Sequence, residues 1–196
     1  MILDNIVPNE QHKRLVDFIT SLDFPWYYQP NIAFVQDPNK TINNNLIQSF
    51  GLTHTVWDVE KGRVSEALAY VEPIVDNFQK VSGVKINNFF RIKINLQTPV
   101  PGNDSNKYNG AHVDRYTNHK TLIYYPTDSD GDTFIFNEIF DPTNEKTYPN
   151  NVSPTIKEKI TPKENRLYYL DNGLQYHSSS NPIKYSKRYS ININFD

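Results

Sequence analysis

The rhythm of apolar and polar positions changes at about residue 85. Before it the apolar residues recur at helical spacing. NEQHKRLVDFITSL (9–22) puts Leu15, Phe18, Ile19 and Leu22 on one face, with Asn9 as N-cap after Pro8 and His12 on the polar, solvated side. Residues 59–80 contain a second helix through Val64, Leu68, Val71, Ile74, Val75 and Phe78; Pro73 is expected to kink or divide it, and Gly83 to stop it. Between the helices, residues 26–35 (WYYQPNIAFV) read as extended, with Pro30 limiting sheet pairing.

After residue 85 the period shortens to two. INNFFRIKINLQ (86–97), GAHVD, TLIYYP, GDTFIFNE, RLYYLD and RYSININF read as short strands, separated by the turn clusters PGNDSN, PTDSDGD and DPTN. This predicts an α+β, mainly β chain. A single domain spans 1–196, with helical support over 1–84 covering one face of an antiparallel β-core over 85–196, a sandwich or barrel.

Composition narrows the function classes. A 13% aromatic share favours strands. A net charge of -2, with Lys and Arg scattered, argues against a nucleic-acid partner. The absence of cysteine removes disulfides, zinc fingers and thiol chemistry. The start MILDNIVPNEQHK lacks the basic and apolar regions of a signal peptide, and no stretch is long and apolar enough to span a membrane. A soluble, cytoplasmic protein without a membrane partner is the expectation; no signature of an oligomeric state is present.

Of the five His, His12, His54 and His119 have no carboxylate suitably placed. His112 does: in H-V-D, Asp114 stands two residues on, and on a strand both would point to one face. His177, in LQYHSSSN, is the remaining His in the β-rich half and would complete a two-His, one-carboxylate facial triad, the set used for non-haem Fe(II). Taken alone, the H-V-D pair is more simply a surface His beside a solvated Asp. Arg188 stands eleven residues after His177 and opens the strand RYSININF, sharing a face with Ser190, Asn192 and Asn194, while Tyr189, Ile191, Ile193 and Phe195 form the apolar face. A guanidinium and a hydroxyl so placed can hold a carboxylate; an edge strand with a solvated side explains them equally. Lys187 is the competing cation and points the other way.

Taken in order, GAHVD, TLIYYP, DGDTFIFNE, YHSSSNP and KRYSININF resemble the prolyl-hydroxylase-like 2-oxoglutarate/Fe(II) oxygenases over Arg91 to Asp196, somewhat over half of the chain. The resemblance implies a double-stranded β-helix (jelly-roll) core, with His112, Asp114 and His177 as iron ligands and Arg188 as the 2-oxoglutarate anchor, helped by Ser190. Tyr125 of the tyrosine pair matches a position that contacts 2-oxoglutarate, with Tyr124 pointing away, and Asn192 matches a position lining the same pocket. It further implies a dioxygenase using Fe(II), 2-oxoglutarate and O2, with ascorbate as an optional reductant, that hydroxylates a protein residue or a small molecule and releases succinate and CO2. The chain departs from the family on the strand before H-V-D: the expected Tyr is not evident, and Asn95 and Gln97 stand there, with Tyr108 near His112. Trp26, Tyr27, Tyr28 and the 101–110 loop are candidates for the mouth, against core packing of the aromatics.

Three other classes compete. A β-sandwich binding module would leave the His and Asp residues apart. A cupin-type metal enzyme would need a second His and a Glu near His112, which this chain lacks, and would leave Arg188 unexplained. A Ser–His–Asp hydrolase lacks the Gly-x-Ser-x-Gly elbow.

Overall fold

Two antiparallel sheets of unequal size carry the alternating segments. The computed structural model describes residues 1–33, 46–47, 49–147 and 152–196; residues 34 and 35 of the segment expected to be extended lie outside these. The larger sheet contains β1 (Ile2–Asp4), β2 (Tyr27–Gln29), β3 (Gly51–Asp58), β4 (Gly62–Arg63), β5 (Phe89–Gln97), β6 (Lys120–Tyr125), β9 (Arg166–Leu170) and β11 (Arg188–Phe195). Its order is β1-β9-β6-β11-β5-β3-β2, with β4 paired to β3. The smaller sheet has the order β10-β7-β8, from β7 (Thr133–Ile139), β8 (Ile156–Ile160) and β10 (Gln175–Ser179). The N-terminal part is therefore more than helical support, because it contributes four strands to the larger sheet. Three of these, β1, β2 and β4, are only two or three residues long and carry no readable period, whereas β3 runs for eight residues between β5 and β2.

Strands β5 and β11 pair over their whole length at the middle of the larger sheet. Their apolar residues Ile92, Ile94, Leu96, Tyr189, Ile191, Ile193 and Phe195 all face one side, where α1 (Asn9–Ile19) and α2 (Leu68–Ser82) cover them. Each such side chain, fully buried, contributes about 1.5–3 kcal/mol. The opposite side faces the smaller sheet. There Ile123, Tyr125, Tyr168 and Leu170 meet Ile135 and Ile160. The polar residues of β5 and β11 look into the same inter-sheet space.

Several local expectations are corrected. Pro8, not Asn9, is the N-cap of α1, and no side chain caps it. Leu22 lies beyond the helix end and is fully exposed. His12 is buried, not solvated: it shares a stripe with Leu15 and Ile19, and its ring meets the Tyr124 hydroxyl at 2.6 Å and Glu164 at 3.1 Å. Satisfying both ring nitrogens lets a histidine occupy a core stripe. Val64 precedes α2, which begins only at Leu68 and runs through Pro73 undivided. Gly83 stops it as expected, with φ 73° and its N–H on the Gln79 carbonyl. No helix among the described residues is long and apolar enough to cross a membrane.

The N-terminal strand is tied to β9 by charge. Arg166 donates to both Asp4 oxygens, at 2.7 and 3.0 Å, and Lys163 adds a third bond at 3.3 Å. These bonds, Arg166 first, hold the Asp4 carboxyl down from its ordinary 3.8 to about 2. A depressed carboxyl stabilises the fold above its unfolded value, and the gain disappears as pH falls through its folded value. The site is largely solvated, so screening limits the effect to about 1 kcal/mol. Asp4→Asn is expected to lower Tm at pH 7 by about 2–4 °C, and the difference from the parent should vanish as pH approaches 2. A constant difference across a pH series of thermal melts would contradict this.

Candidate metal centre and anion site

H-V-D is not a strand. His112 makes an isolated antiparallel bridge with His177, and the two backbones exchange N–H···O bonds of 3.0 Å in each direction. His177 sits within β10, whose other edge pairs with β7. The bridge sets the imidazoles side by side, with centroids 4.8 Å apart. Val113 turns into an apolar cluster with Phe134, Phe136 and Tyr176, so His112 and Asp114 emerge together on the other side. The two-residue spacing therefore worked as expected, although through a bridged loop.

One ligand atom from each of His112, Asp114 and His177 lies within 4.8 Å of the others. Both rings turn Nδ1 to a backbone carbonyl, His112 to Gly110 at 2.9 Å and His177 to Gln175 at 3.2 Å. That fixes the proton on Nδ1 and leaves the Nε2 lone pairs for a metal. His177 Nε2 is buried without a hydrogen-bond partner, 3.5 Å from Asp114 Oδ2. Asp114 is oriented by Arg91, which donates to Oδ1 at 2.5 Å, and by Asn194, which donates to Oδ2 at 2.8 Å. Burial opposes its charge, but His177, Arg91 and His112 outweigh this and keep the carboxyl well below its ordinary range. Burial, then the neighbouring His177, pushes His112 down to about 4, whereas the Asp114 carboxylate pulls His177 up against its burial, so that a bound cation would take the place of the His177 Nε2 proton. An orphaned imidazole nitrogen, two set tautomers and an ionised carboxylate fit a divalent metal of the non-haem iron class.

Arg188 lines the same cavity, a space of about 500 Å³ between the sheets. It is 2% exposed. Nε donates to the Gly131 carbonyl at 2.6 Å, Nη1 to Gln97 Oε1 at 2.8 Å and Ser190 Oγ at 3.3 Å, and Nη2 to Thr133 Oγ1 at 2.7 Å. All four acceptors are neutral, and no described carboxylate lies within ion-pair distance. Desolvation accordingly lowers its pKa. Gln97 Nε2 is a second buried donor without an acceptor. Gly131 is required where it stands: a Cβ there would lie 2.6 Å from the Ser180 carbonyl oxygen and 2.8 Å from Arg188 Cδ.

The remaining expected residues divide. Ser190 and Asn192 line the cavity. Tyr125 stands behind it, its hydroxyl on Thr133 Oγ1 at 2.7 Å and its ring 5.7 Å from the Arg188 guanidinium carbon. Tyr124 faces the helices. Lys187 is exposed. Trp26 packs against the core near Phe24 and Tyr189, Tyr27 and Tyr28 are exposed, and none of these three lines the cavity, nor does the 101–110 loop. Asn95 and Gln97 do line it, taking the wall where a Tyr was expected. Arg91, Lys93, Gly131 and Thr133 were missed. The first two were readable from the alternation RIKINLQ; the others depend on how β7 meets β11.

No family model and no curated protein matches the sequence. Solved structures do match in fold. A prolyl hydroxylase from Trichoplax adhaerens, in complex with a hypoxia inducible factor oxygen degradation domain peptide fragment, is 16% identical with a TM-score of 0.58, over 100% of this chain and 82% of that one. A 2OG-Fe(II) oxygenase family oxidoreductase from Burkholderia pseudomallei is 11% identical with a TM-score of 0.64, over 100% and 84%. The epimerase SnoN from nogalamycin biosynthesis, in complex with Fe3+, alpha ketoglutarate and nogalamycin RO, is 11% identical with a TM-score of 0.61, over 100% and 78%. The chain thus has the fold of the prolyl-hydroxylase-like 2-oxoglutarate/Fe(II) oxygenases, a mainly β architecture with a double-stranded β-helix core and helices on one face.

Proposed function

We propose that this chain is an Fe(II)/2-oxoglutarate-dependent dioxygenase that hydroxylates a protein residue of prolyl type or a small molecule. The observation that carries the reading is one cavity holding both a ready set of metal ligands and a buried, unneutralised guanidinium. In this reading His112, Asp114 and His177 hold the iron. Arg188 receives the distal carboxylate of 2-oxoglutarate, with Ser190 and the orphaned Gln97 amide as further donors and Tyr125 and Thr133 fixing the guanidinium from behind. Asn192 lines the space left for substrate. Residues 1–196 act as one domain, because strands from the N-terminal part complete the sheet that carries Arg188.

Iron held by His112, Asp114 and His177 would supply the O2 chemistry, with one oxygen atom ending in succinate as CO2 is released and the other in the C–H bond of the substrate as a hydroxyl. The chain's own tasks are to orient the ligands, exclude water and neutralise the co-substrate's charge. Arg91 and Asn194 keep Asp114 ionised and aimed.

Anaerobic addition of Fe(II) and 2-oxoglutarate should produce a weak visible charge-transfer band. Asp114→Ala should abolish it, and Arg188→Ala should raise the 2-oxoglutarate needed by about a hundredfold. A folded protein that gives no band would refute the oxygenase reading. Iron binding that ignores 2-oxoglutarate would favour a cupin-type enzyme.

A further inference from the structure

Among the described residues, three cations line the cavity, Arg91, Lys93 and Arg188, against the single carboxylate of Asp114. Two of the cations are committed: Arg91 to Asp114, and Arg188 to its four acceptors. Lys93 is not. Its ammonium makes no hydrogen bond or ion pair with any described residue, and the side chain is half-buried on the central strand β5. Asn192 is its direct neighbour on β11, and Asn95 follows it on the same face. Both line the cavity, and neither makes a side-chain hydrogen bond to a described residue.

Position separates Lys93 from the co-substrate anchor. Along β5 it stands two residues from Arg91, which holds Asp114, and four from Gln97, which holds Arg188. It therefore lies towards the metal end, where the reacting carbon of a substrate must come.

We propose that Lys93, with Asn95 and Asn192 beside it, recognises a carboxylate carried by the substrate. The inference rests on the co-substrate reading above, in which iron and Arg188 take up the charges of 2-oxoglutarate. A neutral substrate filling the cavity would strip water from the Lys93 ammonium and give it no partner, which is costly. A carboxylate turns the same burial into a charge-assisted hydrogen bond. One free ammonium flanked by neutral amides matches a single negative charge, and among the described residues no second uncommitted cation lines the cavity to receive a dianion. Discrimination then comes from the penalty on uncharged analogues as much as from attraction to the acid.

The test uses the Zn(II)-loaded full chain saturated with 2-oxoglutarate, with probe binding followed by NMR titration. N-acetylproline against N-acetylprolinamide probes a free acid. N-acetylglutamate α-amide against N-acetylglutamine α-amide probes an acidic side chain. The acid of at least one pair should bind about tenfold tighter than its neutral partner. That preference should disappear in Lys93→Met, survive in Lys93→Arg, and leave the 2-oxoglutarate dissociation constant within about threefold of the parent. Which pair shows it tells a small acid from an acidic peptide. No preference in either pair, or one that persists in Lys93→Met, overturns the proposal. A large loss of 2-oxoglutarate affinity in Lys93→Met also overturns it, by assigning Lys93 to the co-substrate. A parent protein that binds no 2-oxoglutarate when metal-loaded refutes the oxygenase reading instead, so the two failures are distinguishable.

Discussion

Arg188 carries a full positive charge between two sheets, and the chain meets its guanidinium with a backbone carbonyl, an amide oxygen and two hydroxyls instead of a carboxylate. Leaving a charge in such a place costs several kcal/mol relative to water. The surrounding acceptors orient the fork without neutralising it. Gly131 must lack a side chain, Thr133 must turn inward from β7, and Gln97 must end β5 opposite the first residue of β11. The proposed function gives this charge an anion from outside, and the cavity on that side is also lined by the His–Asp–His set.

The two-residue period of β5 and β11 makes this economical. One face of the pair is a continuous apolar surface under α1 and α2, and its burial fixes the register. A one-residue slip would put Arg188, Ser190 and Lys93 against the helices. The stability of the helix-covered core thus holds the polar face in place, and the smaller sheet brings His177 and Thr133 over it. The candidate ligands then need only local geometry: a single bridge between residues 112 and 177, and two ring nitrogens turned to carbonyls.

Much of this was legible in the chain. RYSININF alternates without exception, and β11 covers those eight residues with the expected faces. Gly83 and the helical spacing before it marked the end of α2. Residues 112 and 114 share a side because Val113 is apolar between them, whether or not the segment is a strand. What escaped were features that depend on topology. The short strands β1, β2 and β4 of the N-terminal part acquire their identity only from the sheet they join. His12 looked polar by type, yet its position relative to Leu15 and Ile19 buries it, with partners more than a hundred residues away. The Arg91–Asp114 pair spans two strands' worth of loop. The polar face of RIKINLQ was visible as a pattern, but nothing local says that it looks into a cavity.

In the proposed function the buried Arg188 charge serves the second carboxylate of a metal-bound 2-oxo acid. The most direct measurement is calorimetric binding of 2-oxoglutarate and of 2-oxopentanoate, which lacks the distal carboxylate, to the Mn(II)-loaded protein. The account predicts that 2-oxopentanoate binds about a hundredfold more weakly. Equal affinities for the two acids would contradict it.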